Sequence, residues 1–273
     1  QIAYANLCGF GKSVIQAVLE GKVKQLVLVN CCDSARRVYD IVESTGKCKF
    51  LYMLDLPHED NECEKVKYAQ AIMRLKKAYE KFSGKTFDKE AFLNSFTENE
   101  TEMKPYIGLM GVRVTGILEK MIRDNIQMDV DNLTCTGGRQ LAVVPEQMRQ
   151  MDEEKMFLAY ADALLCQIPC FRMNNNTRRN QLYLDPNLKG IIYHTIKFCD
   201  YYGFEYASIK KNIKVPLLKI ETDFTSQSAG QLLTRIQAFA ETIEGSEDMD
   251  PGKGISEEAR KKMESGIYYV AGI

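Results

Sequence analysis

Two segments of this 273-residue chain carry the same order of residue types, an apolar β-branched run that ends in Cys-Asp and passes into a helical pattern. The first is Val27 to Asp33 and the second is Ile191 to Asp200. Short apolar runs bounded by helices read as strands buried on both faces of a parallel sheet. Parallel neighbours need a crossover, usually a helix, so a chain made of such units winds into an α/β sheet. The carboxyl ends of its strands form the ligand crevice, where helix starts offer unpaired N–H groups to anions. A thiol placed there gains thiolate character. Cys32 and Cys199 are therefore candidate functional residues, and Cys8, just ahead of a helix at Gly11, lies within reach of the same rim.

The rest of the chain follows this grammar. Strands are expected at Gln25 to Val29, Lys49 to Pro57, Tyr106 to Met110, Ile126 to Val130, Gly190 to Ile196 and Val215 to Asp223. Helical spacing of apolar residues marks Gly11 to Glu20, Asn61 to Phe82, Val114 to Arg123, Asp152 to Leu165 and Gly230 to Glu241, with Asp88 as an N-cap for Phe92, Leu93 and Phe96. The charged stretch Glu98 to Lys104 before Pro105 is the expected boundary between two doubly wound, Rossmann-like parallel-sheet domains, residues 1–100 and 101–244. The first is expected to be incomplete at its N-terminal side, since the sequence opens without Met and inside an apparent segment.

Composition narrows the chemistry. Lys and Arg number 36 against 37 Asp and Glu, a net charge of -1, so no positive field supports nucleic acid binding. No apolar run reaches the ~18 residues of a membrane span and no secretory leader opens the sequence, so a cytoplasmic protein is expected. Nine cysteines are many for such a chain, while the only histidines are His58 and His194 and no CxxC or HExxH pattern occurs. Zinc is poorly supported; thiolate-only ligation points to iron and sulfur.

Five ordered motifs then converge. Cys8-Gly9-Phe10, Cys32-Asp33-Ser34 through Tyr39-Asp40, Leu54-Asp55-Leu56-Pro57, Gly190-Ile191-Ile192 through Cys199-Asp200, and Gly230-Gln231-Leu232 through Phe239 together resemble the 2-hydroxyacyl-CoA dehydratase family. That family also includes benzoyl-CoA reductase subunits and double-cubane cluster proteins, and the likeness covers about residues 5 to 243. It implies an oxygen-sensitive 4Fe-4S cluster between two Rossmann-like domains, held by three cysteines that fall on Cys8, Cys32 and Cys199. It implies one iron open to an acyl-CoA thioester or hydroxyl oxygen. It implies an ATP-hydrolysing activator, carrying its own iron-sulfur cluster, that injects one electron so that a ketyl radical anion can lose its 2-hydroxyl. An anaerobic host and a homo- or heterodimer follow from the same resemblance.

Cys135, in a Gly-rich turn with Arg139, and Cys170, after Pro169, sit in family-like loops and are candidate additional metal ligands. If both reach the rim, five thiolates favour a double-cubane cluster and reduction of small molecules. A non-catalytic scaffold or electron-transfer partner is a third reading, encouraged by the shorter N-terminal region. Cys31 is expected to turn away from Cys32 into the core, and Cys48, Cys63 and Cys166 are assigned to packing. His194 reads as a hydrogen-bonded core residue and Arg235 as a helix arginine paired with a glutamate. Glu221 and Asp223 reach the crevice as proton-transfer candidates or as helix caps, and Asn174 to Arg179 as a polar loop at a substrate entrance. No residue is assigned as the acid or base. Residues 245–273 read as a linker, a charged helix, and either a plain tail or the first strand of a fused activator.

Overall fold

A computed structural model describes residues 6–96, 104–135, 137, 141, 145–175, 177–211, 213, 215–223 and 229–244. The segment 245–273 and the first five residues lie outside them, and with them the expected linker, helix and activator-like strand. The chain divides into two units: residues 1–100 with 140–175, and 101–139 with 176–273. The boundary expected near residue 100 assigned 140–175 to the second half; in the structure those residues return to the first unit.

The first unit begins with α1 (Gly9–Leu19), β1 (Gln25–Val29), α2 (Asp33–Thr45) and β2 (Phe50–Leu54). The two strands pair in parallel, Gln25 opposite Phe50 through Val29 opposite Leu54. Alternation sends Leu26, Leu28, Leu51 and Met53 to one face, where they pack with Ile15 and Val18 of α1 and Val38 and Val42 of α2. On the other face Phe50 meets Tyr79 and Phe82 of α3 (Glu62–Ser83), ring centroids 5.2 and 5.1 Å away. Asn61 caps α3 by accepting the Glu64 N–H at 3.0 Å, and Gly84 ends it in the left-handed conformation.

What draws the later segment back is aromatic and methionine packing. Leu93 of α4 (Lys89–Asn94) is buried with Met148 of α6 (Pro145–Arg149) and with Met156 and Phe157 of α7 (Glu153–Cys166), ringed by Phe87, Phe92, Phe96 and Tyr160. Lys89 donates to the Arg149 and Met151 carbonyls, closing the last turn of α6.

The second unit holds β3 (Tyr106–Gly111), α5 (Gly116–Asn125), β4 (Asp129–Asn132), a 3-10 turn at Thr177–Asn180, α8 (Gln181–Leu184), β5 (Leu188–Ile196), α9 (Asp200–Ile209), β6 (Leu217–Thr222) and α10 (Ala229–Glu244). Its strands are all parallel in the order β4-β3-β5-β6. Strand β3 is buried along its whole length. Ile107, Leu109, Ile192 and Ile220 form the sheet side of a core closed by Leu118 and Ile122 of α5 and by Ile236, Phe239 and Ile243 of α10. The chain leaves β3 to one side and returns to the other, which makes the β3–β5 junction the switch point where such sheets open a crevice at their carboxyl ends. Strand β4 starts at Asp129 rather than Ile126, because Ile126 ends α5 and is taken into the core.

The switch point depends on one glycine. Gly111 ends β3 with φ +90°, and a Cβ there would lie 2.2 Å from the His194 carbonyl oxygen. That oxygen also accepts the Val112 N–H at 2.9 Å, so backbone meets backbone with no room for a side chain.

Candidate functional site

In the first unit, Cys8 and Cys32 cap the two helices that cover one face of the β1–β2 sheet. Cys8 has extended backbone angles, and its sulfur accepts the Gly11 N–H at 3.4 Å. Gly11 presses against α2, where a Cβ would come 2.9 Å from Val38 Cγ2, so the start of α1 is fixed against the helix that Cys32 caps.

Cys32 has a thiol pulled down to about 6. The leading cause is the Cys31 thiol, which donates across 4.0 Å and outweighs the opposing effect of burial. The Ala35 and Ser34 backbone N–H groups add to it, though neither closes a cap hydrogen bond on the sulfur. Cys31 is pushed the opposite way, first by its bond to Cys32 and then by burial, with the nearby Cys170 adding to the rise and Arg172 opposing it. The pair therefore behaves as one thiolate with a thiol donor. Cys31 does not turn into the core as strand alternation suggested. β1 ends at Val29, the Cys31 N–H folds back onto the Val29 carbonyl at 2.8 Å, and both sulfurs come to the same side.

The turn that carries this pair is pinned by Asn30, Asp55 and Arg36, the last two lying within the quoted motifs. Asn30 donates from its N–H to the Leu54 carbonyl and from its amide to Asp55 at 2.9 Å, and Arg36 donates to the Asn30 oxygen at 2.6 Å. Cys170 is held near it by a second strap. Arg172 donates to the Pro57 carbonyl at 2.8 Å, His58 Nδ1 to the Arg172 carbonyl at 3.3 Å, and Asn174 N–H to the His58 carbonyl at 2.8 Å. Asn174 thus belongs to this strap. Cys48 is half-buried against the β1–β2 core, whereas Cys63 and Cys166 are exposed, on the first and last turns of their helices, and are not packing residues.

A direct check follows from the Cys32 value. In metal-free protein, alkylation of Cys32 should reach its plateau between about pH 5 and 7, where an ordinary thiol near 8.5 is still mostly protonated. Cys31→Ala removes the donor and should move that rise to higher pH, read by peptide mass spectrometry. An unchanged profile would refute the pairing.

In the second unit, Cys199 caps α9 directly after β5, at the switch point. Its N–H donates to the Ile196 carbonyl at 2.9 Å, and Phe198 before it has φ +67°, a left-handed bend that a bulky residue holds only when its surroundings enforce it. His194 fixes the strand ends beside this bend. It is buried, with Nδ1 donating to the Val112 and Arg113 carbonyls at 3.2 and 3.0 Å and Nε2 accepting from Thr222 Oγ1 at 2.8 Å. Burial lowers its pKa, in keeping with this neutral tautomer and with the core role read from sequence.

Cys135 lies exposed in the turn after β4, beside the buried Thr134, whose hydroxyl donates to Asn132 at 2.6 Å; Arg139 falls outside the described residues. Arg235 donates to the Lys219 carbonyl of β6 and not to a glutamate. Glu221 pairs with Lys219 at 3.3 Å, and Asp223 is exposed just past β6. Arg179 is no entrance residue: it is buried, with Nε donating to the equally buried Glu205 at 2.5 Å. Tyr183 and Tyr193 donate to the same carboxylate at 2.9 and 2.5 Å. Burial first and then the charge of Glu205 push both phenols up, so they remain protonated donors. The available sequence signal was Glu205 itself, a carboxylate in a helix with no polar stripe.

Cys8, Cys32 and Cys199 thus share one local setting, each the N-cap of a helix. Cys31 and Cys32 lie 4.0 Å apart in the first unit, which also carries Cys170, and Cys135 and Cys199 belong to the second. Among the described residues no three His, Cys, Asp or Glu side chains gather in the way a bound metal ion requires. None of the described helices is long and apolar enough to cross a membrane.

The sequence is 27% identical over 180 residues to YjiM of Escherichia coli (strain K12), provisionally named a dehydratase subunit, covering 58% of this chain and 45% of that protein. It is 27% identical over 157 residues to the (R)-phenyllactyl-CoA dehydratase beta subunit of Clostridium sporogenes, covering 52% of this chain and 40% of that one. The chain therefore spans less than half the length of these two curated relatives. The sequence model of 2-hydroxyglutaryl-CoA dehydratase, D-component, matches residues 3–104 and 96–243, well over half of the chain, and the chain belongs to that family of dehydratase subunits.

Proposed function

We propose that this chain is the iron-sulfur subunit of an ATP-dependent radical 2-hydroxyacyl-CoA dehydratase, with Cys8, Cys32 and Cys199 holding a 4Fe-4S cluster. The observation that carries the reading is their common position as helix N-caps, where backbone N–H groups and the helix dipole favour thiolates and the anionic cluster they bind. The donor set fits such a cluster: three sulfurs, one of them already biased to thiolate.

The protein groups have separable tasks. The Gly11 N–H orients the Cys8 sulfur, and the Cys31 thiol donates to Cys32. The Asn30–Asp55–Arg36 bonds keep that turn in place, while His194 and Gly111 hold the strand ends beside Cys199. A cluster held by these three thiolates would supply single-electron transfer and Lewis acidity toward an acyl-CoA thioester. The electron comes from an ATP-hydrolysing activator with its own cluster, and a second dehydratase subunit, identical or not, completes the assembly.

Cys170 shares the first unit with the Cys31–Cys32 pair, which favours a second reading, a double-cubane cluster with Cys135 and Cys170 as further ligands and a small molecule as substrate. Iron, acid-labile sulfide and the electron paramagnetic resonance spectrum of anaerobically purified protein decide. About four irons per chain supports the dehydratase and about eight the double-cubane reductase. No iron after anaerobic reconstitution would overturn both and leave a non-catalytic partner. Cys8→Ser, Cys32→Ser and Cys199→Ser should each lose most of the iron, whereas Cys63→Ser should keep it.

A further inference from the structure

The buried group of Arg179, Tyr183, Tyr193 and Glu205 lies outside the proposed ligand set, yet it is built onto the helix that Cys199 caps. Helix α9 packs through the buried Tyr202 and Ile209 and through Tyr206, whose ring centroid lies 5.5 Å from that of Tyr193, but its apolar face is irregular. Its inward residues are Tyr202, Glu205 and Ile209, while Phe204 is 71% exposed and Tyr201 39% exposed, so its large apolar side chains point both ways. The carboxylate of Glu205, six positions after the cap and about 9 Å along the axis, receives donors from three other elements: the 3-10 turn (Arg179), α8 (Tyr183) and β5 (Tyr193). Tyr193 stands on the strand that leads into the Cys199 bend, so the Tyr193–Glu205 bond ties α9 to β5 across that bend.

We propose that Glu205 is a positioning residue for Cys199. It fixes the rotation of α9, holds the left-handed bend at Phe198, and so sets the direction in which the Cys199 thiol is presented. A salt bridge with two hydroxyl donors has defined angles, which apolar packing against an irregular face does not supply. The cost of burying a charged pair is met here by a fixed ligand geometry rather than by added stability. This role in cluster binding rests on the reading of Cys199 as a cluster ligand.

The test separates direction from stability. Replacing the whole group with apolar residues of similar shape (Arg179→Met, Tyr183→Phe, Tyr193→Phe, Glu205→Met) leaves no orphaned polar atom among the four and should preserve cooperative unfolding. In the full chain stripped of metal by chelation, iodoacetamide labelling of Cys199 is measured by peptide mass spectrometry against the exposed Cys63 as internal reference. The expected result is labelling of Cys199 at least about threefold faster than in the native chain, as a loosened cap opens locally. Reconstituted iron should fall below about half. Tyr193→Phe, which removes one donor, should change both in the same direction by less, and it is the deciding variant if the fourfold replacement does not fold. Ile122→Val, a truncation in the core of the same unit, should leave the ratio unchanged.

An unchanged Cys199-to-Cys63 ratio in the variants, or an equal rise in Ile122→Val, overturns the proposal. Full iron retention in Cys199→Ser would instead overturn the ligand reading, while the labelling ratio would still report whether Glu205 positions the thiol.

Discussion

Arg179→Met alone is expected to destabilise the second unit by about 3–5 kcal/mol, far more than the fourfold apolar replacement that contains the same change. Both Arg179 and Glu205 are almost fully buried, with side chains 4% and 3% exposed. Removing the guanidinium leaves a carboxylate in a protein interior with only the Tyr183 and Tyr193 hydroxyls to solvate it. The group can escape by taking up a proton or by drawing water into the core, and either route lowers stability. When all four polar groups are replaced together, no uncompensated charge remains among them, and the loss shrinks to the fit of the new side chains. Thermal unfolding should therefore drop by about 10 °C or more in Arg179→Met and by only a few degrees in the fourfold variant. Equal losses in the two would show that the pair itself stabilises the unit.

A substitution at Gly111 is expected to be at least as damaging. Valine there would need φ +90°, a conformation β-branched residues essentially never adopt, and its Cβ would overlap the His194 carbonyl oxygen at 2.2 Å. Neither atom can yield, because the oxygen is part of β5 and already holds the Val112 N–H. The junction between β3 and β5 must part, taking with it the His194 contacts and the register that brings Cys199 to the sheet end. Two destabilising mechanisms at one buried site place the loss at or above about 4 kcal/mol. The matched control is Gly116→Ala, at the start of α5, where a Cβ meets nothing within 4 Å. It should stay within about 0.5 kcal/mol of the native chain. Circular dichroism melts of both variants check the contrast.

Most strands and the longer helices were legible because they bury a periodic apolar set. β3 is a continuous apolar run and β5 a mostly apolar, almost wholly buried one, and α3 and α7 are capped by Asn61 and Asp152, whose side chains accept the N–H bonds that caps require. Cys32 and Cys199 were found for the same reason, since a strand end followed by a helix start is a local pattern. What the sequence could not show was long-range partnership. The pairing of Arg179 with Glu205 joins residues 26 apart on different elements, and nothing local separates a buried arginine from a solvated one. Cys31 was misread because alternation was carried two residues past the end of β1. The return of residues 145–166 to Leu93 was hidden because amphipathic helices declare an apolar face and not what covers it.

That return also sets the order in which the chain becomes foldable. The aromatic core around Leu93 lacks Met148, Met156 and Phe157 until residue 157 has been made, by which time β3, α5 and β4 are already synthesised. The ribosome therefore delivers half of the second unit's sheet before the first unit can close. Growth from the N-terminus does not complete one unit and then the other; the two are interleaved, each waiting on the other's segments. A fragment ending near residue 100 would carry Leu93 and its phenylalanines with their covering helices missing, an exposed apolar surface prone to association.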